Sequence, residues 1–357
     1  MEYMKEYYSN KKILEKNAEY NIILGERSNG KSYCIKMEQC LKKAIKEEKC
    51  TFVIIKRLSE DIKAGFIEEY FADMPISKLT KGKYNKIVGY RDGIYLAKED
   101  KEEEKTIRGL QIGKAMSLSN DERYKSRAYP DITDIVFEEF VTNKLYLRDE
   151  VKRFMNLVST ILRRRKGCVW LIANTISRIC PYFNEWGLRG IPAMKQGQID
   201  LYTVNTENTQ VKIAVEYCGN AGEEKSGMFF GKFAKSIDGG AWECDDYPKL
   251  PEGDVSYHYS IGFKYNNFGF IIWLCSLDSD TFLYIKPARK VKDDFVFPNR
   301  ILTNEFSISR LISNALNLDI PVEALISKLY RQGKVCFSHN LCGADFNSCL
   351  INSKIIL

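Results

Sequence analysis

Tyr20-Asn21-Ile22-Ile23-Leu24 runs directly into Gly25-Glu26-Arg27-Ser28-Asn29-Gly30-Lys31-Ser32. An apolar run of strand length is followed by the spacing G-x-x-x-x-G-K-[ST], and Ser32 to about Glu47 reads as a helix. This pattern demands a buried strand, a loop the size of a phosphate chain, and a helix whose N-terminus faces that loop. In that setting the backbone N–H groups from Gly25 through Glu26, Arg27, Ser28, Asn29 and Gly30 cradle phosphate oxygens, with Tyr33 just beyond. Lys31 reaches the β- and γ-phosphates, and the Ser32 hydroxyl ligates Mg²⁺. ATP with Mg²⁺ is therefore the expected ligand pair.

The remaining chain supplies a sheet for that strand. Thr51-Phe52-Val53-Ile54-Ile55 is a second strand ending in Lys56-Arg57, and Asp134-Ile135-Val136-Phe137 is a third. Val151 to Arg164 forms a helix with Val151, Phe154, Leu157, Val158, Ile161 and Leu162 on one face, and Cys168–Ala173 is a fourth strand. Such alternation predicts an α/β fold with a doubly wound, mostly parallel sheet. The mixed-charge run Lys98–Lys105 reads as a solvated hairpin or loop.

Beyond Tyr217 the pattern changes. Gly219 to Gly240 is rich in glycine and charge around the short patch Met228-Phe229-Phe230, and reads as a linker. Ser256–Tyr265, Phe268–Ser276 and Phe282–Ile285 are strands turned by Asn266-Asn267 and Asp278-Ser279-Asp280. Helices near Ser307–Asn317 and Pro321–Gln332 complete a small α+β unit. The expected domains are residues 1–200, a P-loop ATPase domain; 201–250, its last strand and a linker domain; and 251–357, the C-terminal domain.

Length and composition set bounds on function. The 357 residues, 45% hydrophobic and 28% charged, suit about two globular cores. No apolar run approaches the length of a membrane span, and the N-terminus lacks the apolar core of a signal peptide. The net charge of +7 is compatible with a polyanionic partner. The eleven cysteines form no C-x-x-C pair, and Cys336, Cys342 and Cys349 with His339 fit no common zinc spacing. Buried free thiols are the better account.

Hydrolysis needs more than a P-loop. The third strand ends Phe137-Glu138-Glu139-Phe140, an acidic pair of the Walker B kind. Glu138 is expected to hold Mg²⁺ through water, and Glu139 to orient and polarise the attacking water. The first acid is usually Asp, so Glu138 is a departure. Asn174 closes the fourth strand, where it either senses the γ-phosphate or caps a turn. Arg163-Arg164-Arg165-Lys166 closes the amphipathic helix. It is either a solvated basic end that suits the helix dipole or the source of an arginine finger for a neighbouring subunit. Lys125 lies in a basic loop before the acid-bearing strand, and Lys144 lies just past the acidic pair.

With these residues in place, the chain resembles the DNA-packaging ATPases of phi29-type tailed phages over nearly its full length. The resemblance rests on Gly25–Ser32 with Tyr33, the strand ending in Lys56-Arg57, and Lys125-Ser126 with Ala128-Tyr129-Pro130. It continues through Ile135-Val136-Phe137-Glu138-Glu139-Phe140, Glu150-Val151, Thr160, Arg163, and Asn174 before Pro181-Tyr182-Phe183. It implies an additional-strand (ASCE) ATPase domain, a linker domain and a C-terminal domain like a vestigial RNase H nuclease. It also implies a homopentameric ring on the portal, or connector, of a procapsid in the host cytoplasm, driving double-stranded DNA inside by ATP hydrolysis. Arg163 matches the trans-acting finger, and Lys125 a basic residue acting on the neighbour's nucleotide. Lys56 and Lys144 are the expected DNA contacts. The first C-terminal strand has no acid where a nuclease metal ligand would sit, so no nuclease activity is expected. Some members use a structural packaging RNA, and Lys286, Arg289, Lys290 and Lys292 make the region basic enough for RNA contact. The isolated chain, lacking a long apolar seam, is expected to be a monomer. Two rival readings are a helicase-like or remodelling ATPase on nucleic acid, and a non-catalytic nucleotide-gated scaffold.

Overall fold

The computed structural model describes residues 7–63, 65–100, 102, 105–142, 144–205, 209–219, 246–265, 267–291 and 322–353. The patch Met228-Phe229-Phe230, most of the expected linker, the expected helix over Ser307–Asn317, and residues Asn266 and Lys292 lie outside them.

The larger sheet is built from β1 (Tyr20–Gly25), β2 (Phe52–Lys56), β3 (Lys86–Tyr90), β4 (Gly93–Asp100), β5 (Lys105–Ser117), β6 (Asp134–Glu138), β7 (Cys168–Asn174), β8 (Ile199–Asn205) and β9 (Gln210–Tyr217). Their spatial order is β3-β4-β5-β2-β6-β7-β1-β9-β8. The run from β5 to β9 is parallel throughout, whereas β3, β4 and β8 join antiparallel at the edges. Strand β7 separates the P-loop strand β1 from the acid-bearing β6, the insertion expected of an additional-strand ATPase.

The central strands are apolar at nearly every position because both sheet faces are covered. Ile22, Leu24, Val53, Ile55, Ile135, Phe137, Val169 and Leu171 enter one core, with Phe154, Leu157, Val158 and Ile161 of the helix Glu150–Leu162. The intervening Ile23, Phe52, Ile54, Val136, Trp170 and Ile172 enter the other, under Ile35, Cys40, Leu41 and Ala44 of the helix after the P-loop. The sequence reads as one helix from Ser32 to about Glu47. Instead it runs Lys31–Ile35 in α geometry, Lys36–Leu41 as a π segment, and Lys42–Glu47 in α geometry again. Within the charged run, Lys98, Glu99 and Asp100 end β4 and pair antiparallel with Ile107, Thr106 and Lys105 at the start of β5.

The smaller sheet comprises β10 (Ser256–Tyr265), β11 (Phe268–Leu277), β12 (Asp280–Pro287) and β13 (Val335–Phe337). The first three form the expected meander, and β13 adds in parallel beside β12. The helices Val322–Arg331 and Asn340–Ser353 cover it, with Phe263, Phe270 and Phe346 in its core. The segment after β7 reaches this second unit. Ile179 is buried in its core, Arg178 forms an ion pair with Asp345, and the Ser177 and Ser348 hydroxyls lie 3.0 Å apart.

Among the described residues no helix is long and apolar enough to cross a membrane. The described cysteines are all free thiols, most of them buried.

Candidate nucleotide site

The carboxyl ends of β1, β6 and β7 meet at one edge of the parallel sheet, where α/β folds place their ligands. Gly25 closes β1. A Cβ there would fall 3.0 Å from Cys218 Cβ and 3.1 Å from Asn29 Nδ2, so a side chain would crowd both as the chain turns. Ser28 (φ 61°) and Gly30 (φ 88°) both take the left-handed conformation, and the helix begins at Lys31. An N-terminal segment straps this loop, with the Tyr8 N–H donating to Asn29 O at 3.1 Å and the Tyr8 hydroxyl to Glu216 Oε2 at 2.6 Å.

Lys31 is buried. Its Nζ donates to Glu26 O, to Asn29 Oδ1 at 3.1 Å and to Asn174 Oδ1 at 3.3 Å. Burial pulls its pKa from 10.5 down to about 8, against the opposing charges of Glu26 and Glu138. A cleft of about 770 Å³ opens above it, running from Tyr7 and Tyr33 past Arg27 and Ser32 to Glu138, Glu139 and Asn174. The nine expected nucleotide-binding residues, Gly25 to Tyr33, are thus a contiguous strand end, loop and helix start.

Glu138 is the last residue of β6 and is buried, and its Oε1 has no hydrogen-bond partner. A buried carboxylate oxygen left unpaired is costly. Lining the same cleft as Ser32, it suits a hard cation with oxygen ligands such as Mg²⁺. The buried Tyr70 hydroxyl lies against it, held far above the phenol range by burial and then by the Glu138 charge. Glu139 turns the backbone left-handed (φ 55°), which leaves its side chain 73% exposed, and its N–H donates to Ile172 O at 2.8 Å. Lys56, expected to face DNA, is buried instead. Its Nζ lies 3.9 Å from Glu138 and 3.7 Å from Glu139, above the Phe66 ring.

The other expected residues lie elsewhere. Arg163 (φ 44°) terminates the helix Glu150–Leu162, is exposed, and donates to Arg127 O at 2.7 Å. Lys125, exposed and paired with Glu122, is two residues from Arg127. These two cations therefore share one surface, and neither lines the cleft around this chain's own P-loop. Arg165 is structural, with its guanidinium donating to Tyr129 O, Pro130 O, Ile132 O and Ile161 O. Lys144 is exposed in the loop after β6. In the smaller unit β10 carries no carboxylate, Asp278 sits at a left-handed turn, and Asp280 pairs with Lys334 at 3.1 Å.

Sequence reasoning gave no role to Arg57 and Glu150, although both were part of the resemblance. Arg57 follows the last residue of β2, beside the acidic pair, and its Nε meets the Glu150 carboxylate at 3.0 Å. Adjacency to a strand end at the ligand edge was the one available signal.

Comparison with known proteins agrees with this architecture. A family model for the podovirus DNA encapsidation protein (Gp16) matches residues 3–344. The DNA packaging protein of Bacillus phage B103 is 31% identical over 180 residues, 47% of this chain and 48% of that protein. That of Bacillus phage phi29 is 28% identical over 189 residues, 50% of this chain and 49% of that one. The chain thus spans about half the length of the curated relatives it matches. A chain of the bacteriophage Phi-29 viral genome packaging motor assembly superposes with a TM-score of 0.51 at 19% identity, covering 98% of this chain and 99% of that one, which is a likeness of fold. The chain belongs to the podovirus DNA encapsidation protein (Gp16) family.

Proposed function

We propose that this chain is an ATP-driven translocase that moves double-stranded DNA into a phage procapsid, acting as a homomeric ring at the portal vertex. One observation carries the reading: a P-loop lysine, a buried carboxylate with an orphaned oxygen and an exposed glutamate converge at one cleft, in a member of this family. Lys31 and the loop N–H groups bind the phosphates. Ser32 and Glu138 would hold Mg²⁺, which supplies charge neutralisation at the β- and γ-phosphates. Glu139 accepts the proton of the attacking water, and Asn174, already on Lys31 Nζ, reports the γ-phosphate through that lysine.

The separation of Arg163 and Lys125 from the chain's own cleft supports their acting on a neighbour's nucleotide, in a ring of five. DNA grip is mainly phosphate electrostatics, because a packaging motor must accept any sequence, and so weakens steeply with salt. Lys144 is suited to that contact by its exposure. The buried, ion-paired Lys56 would need to leave the acidic pair to reach DNA. The C-terminal domain, RNase H-like by resemblance, serves docking at the portal rather than cutting, since its first strand is acid-free and Asp280 is held by Lys334.

The test is ATP hydrolysis with and without double-stranded DNA, followed by nuclease protection of DNA with procapsids and ATP. Glu139→Gln should bind ATP and fail to hydrolyse it; wild-type turnover would remove Glu139 from the reaction. Hydrolysis without procapsid-dependent protection, accompanied by duplex unwinding, would instead favour a remodelling ATPase.

A further inference from the structure

Glu139 occupies a backbone conformation that a non-glycine residue keeps only where its surroundings over-determine it. Those surroundings are supplied by Arg57. One guanidinium nitrogen donates to Glu139 O at 3.1 Å and the other to Phe140 O at 2.6 Å, so one rigid fork grips two consecutive carbonyls of the strained turn. The Nε edge donates to both Glu150 oxygens, at 3.1 and 3.0 Å. Glu150 is itself pinned, its side chain only 1% exposed, accepting from the Tyr182 hydroxyl at 3.2 Å and the Leu147 N–H at 2.8 Å. The Phe137 and Tyr146 rings flank the guanidinium at 5.8 and 5.1 Å. Every edge of Arg57 is thus occupied, and what it holds at the far end is the backbone that aims Glu139 into the cleft.

We propose that Arg57 is a positioning residue for ATP hydrolysis, fixing the turn at Glu139 and Phe140 so that the Glu139 carboxylate meets the attacking water. Lys31 and the loop bind nucleotide without any contact to Arg57, so its loss acts on turnover and not on binding. A lysine at this position keeps the charge for Glu150 but lacks the planar fork needed to grip two carbonyls. The inference rests on Glu139 being the general base.

The experiment compares the full-length chain with Arg57→Lys, Glu150→Gln, Glu139→Gln and the double variant Arg57→Lys/Glu139→Gln. Binding is read with a fluorescent N-methylanthraniloyl ATP, turnover with double-stranded DNA present, and folding by thermal melting. Arg57→Lys should melt near wild type and bind nucleotide within about twofold, yet lose about 10- to 100-fold in turnover, the scale of a misplaced catalytic group. In the Glu139→Gln background the same change should cost less than about twofold of the slow residual hydrolysis that survives, followed with radiolabelled ATP over hours, because Arg57 acts only through Glu139. Turnover of Arg57→Lys within about twofold of wild type, or a loss that adds fully to that of Glu139→Gln, would overturn the proposal. If Arg57→Lys melts early, the isosteric Glu150→Gln decides: reduced turnover with unchanged binding supports the proposal, and unchanged turnover defeats it. Wild-type turnover in Glu139→Gln alone would instead defeat the assignment of the base, an outcome distinct from failure at Arg57.

Discussion

At the scale of single residues, the buried Lys31 ties nucleotide binding to pH. Burial lowers its pKa to about 8, and a triphosphate beside Nζ restores the preference for the ammonium form. Binding therefore takes up a proton once the pH passes about 8. Analogue affinity measured by calorimetry should fall by about fivefold between pH 8 and pH 9 and approach about tenfold per pH unit above that, with a buffer-dependent heat from proton uptake. A flat profile would mean that the phosphates do not contact Nζ. The stability sign runs the other way. The unfolded chain holds this proton up to a higher pH than the folded one, so Lys31 penalises the fold fully below about pH 8 and the penalty fades as the pH rises toward 10.5. The P-loop residues were legible in the sequence because a phosphate cradle is a local object, closed within a few consecutive positions. Lys56 was not, because its partners Glu138 and Glu139 are brought to it by the pairing of β2 with β6, across some eighty residues of chain.

At the scale of elements, the helix Glu150–Leu162 is the brace of the acid-bearing strand. Phe154 is fully buried, stacked on Phe137 of β6 with ring centroids 5.3 Å apart and edge-on to Tyr182 at 5.7 Å. Phe154→Ala should cost about 3–5 kcal/mol, read as a lower urea midpoint, since removing the ring opens a cavity at the centre of that aromatic cluster. A loss below about 1 kcal/mol would show that the cluster is not the support it resembles. The strands β1, β2, β6 and β7 and this helix were legible because their burial imposes either an unbroken apolar run or a single apolar face. Strands β3 to β5 were not, because they are half-exposed and carry charge; the first residues of β5 face solvent. Strand β13 has only three residues, and the π segment of the P-loop helix has no compositional signature at all.

At the scale of the whole molecule, the sheet carrying the cleft is joined to the C-terminal unit through the segment that leaves β7. Asn174 faces Lys31, and Ser177, Arg178 and Ile179 enter contacts with Asp345, Ser348 and the second core. The place of Asn174 at the phosphate end of the sheet was legible from sequence; the contacts of Ser177 and Arg178 were not, since their partners lie 167 to 171 residues away. Arg178→Ala would leave the buried Asp345 carboxylate uncompensated, so it should loosen this joint by about 3–5 kcal/mol and speed limited proteolysis. Unchanged cleavage rates would mean the joint holds without the ion pair. Arg163 and Lys125 lie together on a surface apart from the chain's own cleft, an arrangement that makes sense if each active site is completed by the next subunit in a closed ring. Lys31→Ala and Arg163→Ala should each be inactive alone. Mixed at equal amounts, an interface pairing the intact P-loop of one variant with the intact finger of the other arises at about one site in four, and hydrolysis should return in that proportion if sites fire independently. A ring that requires every site in turn would stall after its first event, so the quantity read is the first turnover, which needs only one competent interface. Silence in rings shown to contain both variants would mean that Arg163 serves its own subunit or none.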